Sequence, residues 1–271
     1  MTGAKDAITQ YGLKPNKALG QNFLTDEAAI ERIVKAASEK GLPILEIGPG
    51  LGALTFPLAK TGLPLAAVEL DAALCGILSG DLPENALVVN ADFLKADLKK
   101  IHESLGLGSI TAVGNLPYYI TSPICARLVQ SGLPISRMVL MMQKEAAERF
   151  TALPGDKNYV PLTVMARYLF DISPLLELSP ASYFPQPEVS SSVLIFDRKA
   201  EDLPEGFAAV VKCAFAMRRK TLLNNLSALG LGKSETARLI EEAGLSPAAR
   251  AETLTENDFA RIAKLAAERK A

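Results

Sequence analysis

Five short apolar runs set the frame for this chain: PILEIG (residues 43–48), LAAVEL (65–70), ALVVN (86–90), ITAVG (110–114) and RMVLMMQ (137–143). Each is short and rich in leucine, isoleucine or valine, as expected of strands covered on both faces in a parallel sheet. The segments between them, GALTFPLAKTG and SPICARLVQSG for instance, are long enough for crossover helices. Strand, helix, strand repetition predicts an α/β fold with a doubly wound sheet, and such sheets bind ligands at the carboxyl ends of their strands. Ahead of the first run, residues 26–38 have helical apolar spacing with acids in the first turn, where they meet the positive end of the helix dipole.

After SSVLIFD (191–197) the character changes. RKAEDLPEG reads as a charged linker, and FAAVVKCAFAM, KTLLNNLSAL, ETARLIEEAG and DFARIAKLAAERK each have helical spacing. Ser246-Pro247 predicts a cap followed by proline at the first helical position, and Thr255 with Asp258 predicts a capping box. The expected division is an α/β domain over residues 1–200 and a small all-helical domain over 201–271.

An apolar fraction of 49% with 22% charged residues belongs to a globular protein rather than a disordered or fibrous one. No apolar run approaches the ~20 residues of a membrane span, and MTGAKDAITQYG has no apolar core of a secretory signal, so a cytoplasmic location and no membrane partner are expected. Cys75, Cys125 and Cys213 are scattered, and His102 is the sole histidine. That argues against a zinc site, a disulfide framework or a cysteine nucleophile with a histidine base, and no metal is expected. His102, in LKKIHESLG, reads as a surface residue. Net charge −1 and pI ≈ 6.0 give no overall basic signature. Basic residues are instead local, in YGLKPNK and FAMRRKTLLNNL.

LEIGPGLGALT follows the first strand and opens a helix, so its glycines let a ligand approach the backbone and leave helix amides pointing at it. Gly48, Gly50 and Ala53 satisfy the loose dinucleotide pattern G-x-G-x-x-G/A. The spacing Glu46-x-Gly48-x-Gly50-x-Gly52 resembles the loop of S-adenosylmethionine-dependent methyltransferases and tilts the choice towards them. Glu69, ending the second strand, suits ribose hydroxyls in either case. Asp92, after the third strand, suits an adenine amino group or, more plainly, a helix cap.

GNLPYYITSPI (114–124) places Asn115 just beyond the fourth strand, beside that loop. Its plainer reading is a rigid turn. Its chemical reading starts from the adenine amino group, whose lone pair is delocalised into the ring. Two acceptors beneath its N–H bonds favour a pyramidal nitrogen able to attack a methyl sulfonium, and the Asn115 side-chain carbonyl and the Leu116 backbone carbonyl can supply them. Pro117 holds Leu116 extended, and Tyr118 can stack on the base. Tyr119 is assigned to packing under the loop.

LGQNFL (19–24), EIGPGLGALT (46–55), VELD (68–71), NADFL (90–94), GNLPYYITSPI, MMQKEAAERF (141–150), YFPQPEVSSSVL (183–194) and FAMRRKTLLNNL (215–226) together resemble the KsgA/RsmA family of ribosomal RNA adenine dimethyltransferases, relatives of the Erm 23S rRNA dimethylases. The resemblance implies a Rossmann-like S-adenosylmethionine methyltransferase domain followed by a helical RNA-binding domain. It implies S-adenosylmethionine contacts from Asn22, Leu24, Gly48, Glu69, Asp92 and Asn115, with S-adenosylhomocysteine as product. Asn115, Leu116 and Tyr118 would hold the target adenine and Phe184 would close on its other face. The implied substrate is a pair of adjacent adenosines in the 3′-terminal hairpin of 16S rRNA, within an immature 30S subunit. No DNA partner is expected, and a monomer is the default. Arg218, Arg219 and Lys220, with Lys14 and Lys17, are expected on phosphate. The competing readings are a macrolide-resistance 23S rRNA dimethylase, a non-catalytic RNA-binding assembly factor that keeps the fold, and a nucleotide-dependent dehydrogenase.

Overall fold

The computed structural model describes residues 21–200 and 202–269; Leu19, Gly20, Lys14 and Lys17 lie outside the described residues. The first part of the chain runs β1 (Phe23–Leu24), α1 (Glu27–Ser38), β2 (Ile44–Ile47), α2 (Thr55–Ala59), β3 (Leu65–Glu69), α3 (Ala72–Asp81), β4 (Ala86–Asn90), α4 (Leu98–Ser104), β5 (Ile110–Asn115), α5 (Thr121–Val129) and β6 (Ile135–Gln143). Then follow α6 (Lys144–Thr151), α7 (Pro161–Leu169), β7 (Phe170–Leu178), β8 (Tyr183–Phe184) and β9 (Ser191–Arg198). Last come α8 (Phe207–Ala214), α9 (Leu222–Leu226), α10 (Lys233–Glu242) and α11 (Glu256–Glu268).

Local chemistry explains the helix starts. Asp26 accepts from the Ala29 amide to cap α1, and Asp71 accepts from Ala73 and Leu74 to cap α3. Ile33, Ala36 and Ala37 form the buried stripe of α1. They join Ile44, Val113 and Val139 in one apolar core beneath the sheet.

The seven-stranded sheet has the order β4-β3-β2-β5-β6-β9-β7. The five predicted strands are parallel neighbours. β9 runs antiparallel to β6 with Leu140 opposite Leu194, so the sheet is mixed. Along the chain, strands are added outward from β2 through β3 to β4, and β5 then returns to the other side of β2. The order therefore reverses between β2 and β5, which opens a crevice at their carboxyl ends. Gly114 permits the close approach there, because a Cβ on it would lie 2.6 Å from the Ile47 carbonyl oxygen.

Several expectations need correcting. ALVVN forms a strand, but β4 is an edge and only partly buried. β7 was not expected; it is the opposite edge, with Pro174 in its middle and a mostly exposed or half-buried face. Ser246-Pro247 starts a turn instead of a helix, with the Ser246 hydroxyl accepting from Ala248. His102 is buried, and its Nε2–H donates to the Gly108 carbonyl at 2.6 Å, closing the loop after α4. The Thr255–Asp258 capping box is present as expected.

The chain divides into two compact units. One contains the described residues up to Ala147 together with Ile172–Arg198. The other joins Glu148–Asp171 to Lys199 onward. A single cut at residue 200 therefore misassigns 148–171. In the second unit that segment supplies Tyr159 and Tyr168, whose rings lie 6.2 Å from Phe215 and 4.8 Å from Phe207, and Phe215 in turn meets Phe259 at 5.8 Å. Aromatic packing of this kind draws α7 onto α8 and α11.

Candidate active site

At the reversal point, the loop after β2 and the tetrapeptide after β5 face one cleft of about 1000 Å³, its mouth included. Asn22, Leu24, Gly48, Glu69, Asp92, Asn115, Leu116 and Tyr118 all line it. Gly48 and Gly50 have φ of +66° and +58°, which suits residues without a Cβ. A Cβ on Gly48 would sit 3.8 Å from the Asn115 carbonyl oxygen, so loop and tetrapeptide are immediate neighbours.

Glu69 is held by two amides. Oε2 accepts from Gly50 at 3.0 Å and Oε1 from Asp71 at 2.9 Å. Each carboxylate oxygen keeps a further lone pair, enough to accept vicinal hydroxyls. Burial raises its pKa, while the amide bonds oppose that rise. Asp92 lines the cleft, and its Oδ1 accepts from the Leu94 amide to shape a turn rather than cap a helix. No α-helix begins at it.

Asn115 is oriented by the amino-terminal segment. Its Nδ2 donates to the Asn22 carbonyl at 3.0 Å. The reversed amide would set two carbonyl oxygens against each other, so this bond fixes Oδ1 as the free acceptor. The Leu116 amide donates to Met141, while the Pro117 carbonyl accepts from Ile120 and from the Thr121 hydroxyl. Tyr118 bonds through its hydroxyl to Ser191 of β9 at 3.0 Å, which anchors the tip of the side chain against the cleft wall. Phe184 does not line the cleft; it pairs across the β1–β8 ribbon with Phe23, which does.

Sequence reasoning missed several participants. Ser191 was visible only as one serine of EVSSSVL, and nothing local tied it to Tyr118. Gln21 lines the cleft and donates to Asp71 at 3.2 Å. Tyr119 is 53% exposed and lines the cleft, so its assignment to packing is corrected. Arg218, Arg219 and Lys220 belong to the second unit, are exposed, and follow Met217, whose amide and carbonyl are both bound by the buried Asn225 side chain. Among the described residues no group of three or more His, Cys, Asp or Glu side chains could hold a metal ion.

Glu46 lies beneath the glycine loop, 1% exposed, with Oε2 lacking any hydrogen-bond partner among the described residues. Burial, reinforced by repulsion from Glu69, pushes its carboxyl up to about 8 from 4.5. The folded state thus holds a proton that the unfolded chain releases near 4.5, so this contribution to stability is complete below pH 4.5 and is lost as pH rises to about 8. In ligand-free protein this predicts a fall of up to ~1.4 kcal/mol per pH unit across that window. Denaturant titrations at several pH values should find the slope reduced by about one proton in Glu46→Gln.

A sheet of this topology with a glycine-rich loop at its reversal point and an acid ending the next strand is the framework of the S-adenosylmethionine-dependent methyltransferases. The family model described as ribosomal RNA adenine dimethylase matches residues 12–268, and the chain belongs to that family. Among relatives, the Ribosomal RNA small subunit methyltransferase A of Clostridioides difficile (strain 630) is 36% identical over 96% of this chain and 94% of its own. That of Geobacillus thermodenitrificans (strain NG80-2) is 39% identical over 95% and 93%. Among solved structures, the 23S rRNA methyltransferase ErmE aligns with TM-score 0.64 and 28% identity, covering 90% of this chain and 99% of that one. A dimethyladenosine transferase from Plasmodium falciparum shares the fold at TM-score 0.71, with 23% identity over 89% and 95% of the two chains.

Proposed function

We propose that the protein transfers methyl groups from S-adenosylmethionine to the exocyclic N6 of two adjacent adenosines in the 3′-terminal hairpin of 16S rRNA, as a single chain acting in the cytoplasm on an immature small subunit. The observation that carries this reading is the oriented Asn115 carboxamide, adjoining the glycine loop at the strand-order reversal. The donor set fits the cofactor: backbone at Gly48 and Gly50 open to close approach, Glu69 with acceptor capacity for ribose hydroxyls, and an orphaned carboxyl oxygen of Glu46 that marks the cleft floor as a place for a polar group. Asn22, Leu24, Gly48, Glu69, Asp92 and Asn115 would hold it, and when bound it supplies an electrophilic methyl group on sulfur.

The chain's own contribution is positioning. Asn115 Oδ1 and the Leu116 carbonyl accept the two N6 hydrogens, which frees the nitrogen lone pair for in-line attack. With the cofactor bound, an N–C bond would form as its S–C bond breaks and the aminium proton would pass to water, so this chain needs no histidine base there. Tyr118 stacks on the adenine and keeps it in plane. Phe184, one strand pair removed from the cleft lining, closes on the other face only as the base enters. A flipped base from a single-stranded loop suits this arrangement, because it costs little to unstack.

The curated relatives, named for the small subunit, support 16S rRNA over 23S rRNA, although ErmE shares the fold. The test supplies labelled S-adenosylmethionine with small and large subunits lacking these methyl groups. Dimethyladenosine in 16S rRNA is expected; label in 23S rRNA, or none in either, overturns the reading. Arg218, Arg219 and Lys220 supply the local positive charge on RNA phosphate that the net charge of −1 lacks. Replacing each with glutamine should lower the slope of log affinity against log salt by about 0.7–0.9 per residue. An unchanged slope removes them from the interface.

A further inference from the structure

Tyr119 is the one aromatic side chain among the described residues that is more than half exposed, and it stands at the mouth of the cleft. Burying a ring is strongly favourable, so an aromatic at 53% exposure forfeits area that a polar residue would not lose. Tyr118 and Tyr119 occupy one 3₁₀ turn, Tyr118–Ile120. With three residues per turn, consecutive side chains diverge by about 120°. Tyr118 is tied to the cleft wall through Ser191, so Tyr119 projects in a different direction and cannot share the same base. One short turn therefore offers two aromatic faces at once, one inside the cleft and one at its lip.

We propose that Tyr119 is a second base platform, stacking on the nucleotide next to the adenosine held by Asn115, Leu116 and Tyr118. This rests on the reading of the substrate as two adjacent adenosines. While one is in the cleft, its neighbour has left the RNA stack on that side and needs a replacement partner. An exposed ring at the lip supplies one without hydrogen-bond readout, so either adenosine can occupy either place. Tyr119 then positions the strand for both methylations.

The experiment compares Tyr119→Phe, Tyr119→Leu and Tyr119→Ala on unmethylated small subunits, with S-adenosylmethionine affinity measured by calorimetry. Phenylalanine keeps the π-face and is expected to match wild type. Leucine and alanine are expected to raise the apparent KM for subunits about tenfold, in the range of one lost base–aromatic contact, with cofactor affinity unchanged. In subunits whose neighbouring adenosine is replaced by uridine, a weaker stacker, the alanine penalty should shrink. A leucine variant as good as phenylalanine assigns Tyr119 to apolar packing and overturns the proposal, as does an equal loss of cofactor affinity in the alanine variant. A penalty unaffected by uridine overturns the assignment to the neighbour. Inactivity of the wild type on small subunits overturns the substrate reading and this inference with it.

Discussion

Asn115→Ala lowers kcat about 10²–10³-fold with subunits saturating, the size of effect seen when one preorganised polar contact to a transition state is removed. Cofactor affinity should fall only a few-fold, because Gly48, Glu69 and Asp92 remain. Asn115→Asp is the sharper case. Aspartate offers an acceptor at least as good as the amide, so if acceptance alone mattered it would be tolerated. Here Nδ2 donates to the Asn22 carbonyl at 3.0 Å, and an oxygen in its place would be repelled, turning the side chain away from the cleft. Asn115→Asp should therefore be nearly as inactive as Asn115→Ala. Single-turnover transfer of labelled methyl groups checks this, and activity within tenfold of wild type in the aspartate variant would refute the orientation argument.

Gly114→Ala should produce a large loss of stability from a single methyl group. Its Cβ would meet the Ile47 carbonyl oxygen at 2.6 Å, with Ile47 Cβ and Leu116 Cδ2 each at 3.2 Å. The closest atom is backbone inside a parallel ladder, where Ile47 is paired with Gly114, so it cannot swing aside as a side chain would. Overpacking of this kind costs about 1–3 kcal/mol, or roughly 5 °C in Tm for a protein of this size. The strain falls one residue before Asn115, so kcat should drop by about 10²-fold through misplacement of the acceptors. Gly76→Ala is the matched control: Gly76 lies in α3 with nothing within 4 Å of its added Cβ, and alanine there should be neutral or slightly stabilising. Thermal melts and transfer assays on the two variants separate the contact from any general effect of adding a methyl group.

Much of the cleft was legible because its parts are local. A glycine loop directly after a strand, an acid ending the next strand and Asn-Leu-Pro-Tyr ending the fourth all announce themselves within a few residues. The parallel order then brings those strand ends together. β7 was not legible: FDISPLLEL carries charges and a proline, tolerable only because this strand is an edge, and edge position is set by the rest of the sheet. His102 was misread for a similar reason, since its polarity is satisfied by the Gly108 carbonyl and burial then costs little.

The sequence by itself determined the five parallel strands, the ligand loop and most of the residues that line the cleft, because hydrophobic period and turn chemistry are properties of short segments. Only the tertiary structure decided how those residues are aimed. Asn115 is oriented by a carbonyl 93 residues away, and Tyr118 by a hydroxyl 73 residues away. It also decided that 148–171 joins the helical unit, through Tyr159 and Tyr168, and that Tyr119 faces solvent while Tyr118 does not. Which surfaces meet, and which polar groups find partners across them, depends on contacts between distant segments, and no local pattern encodes them.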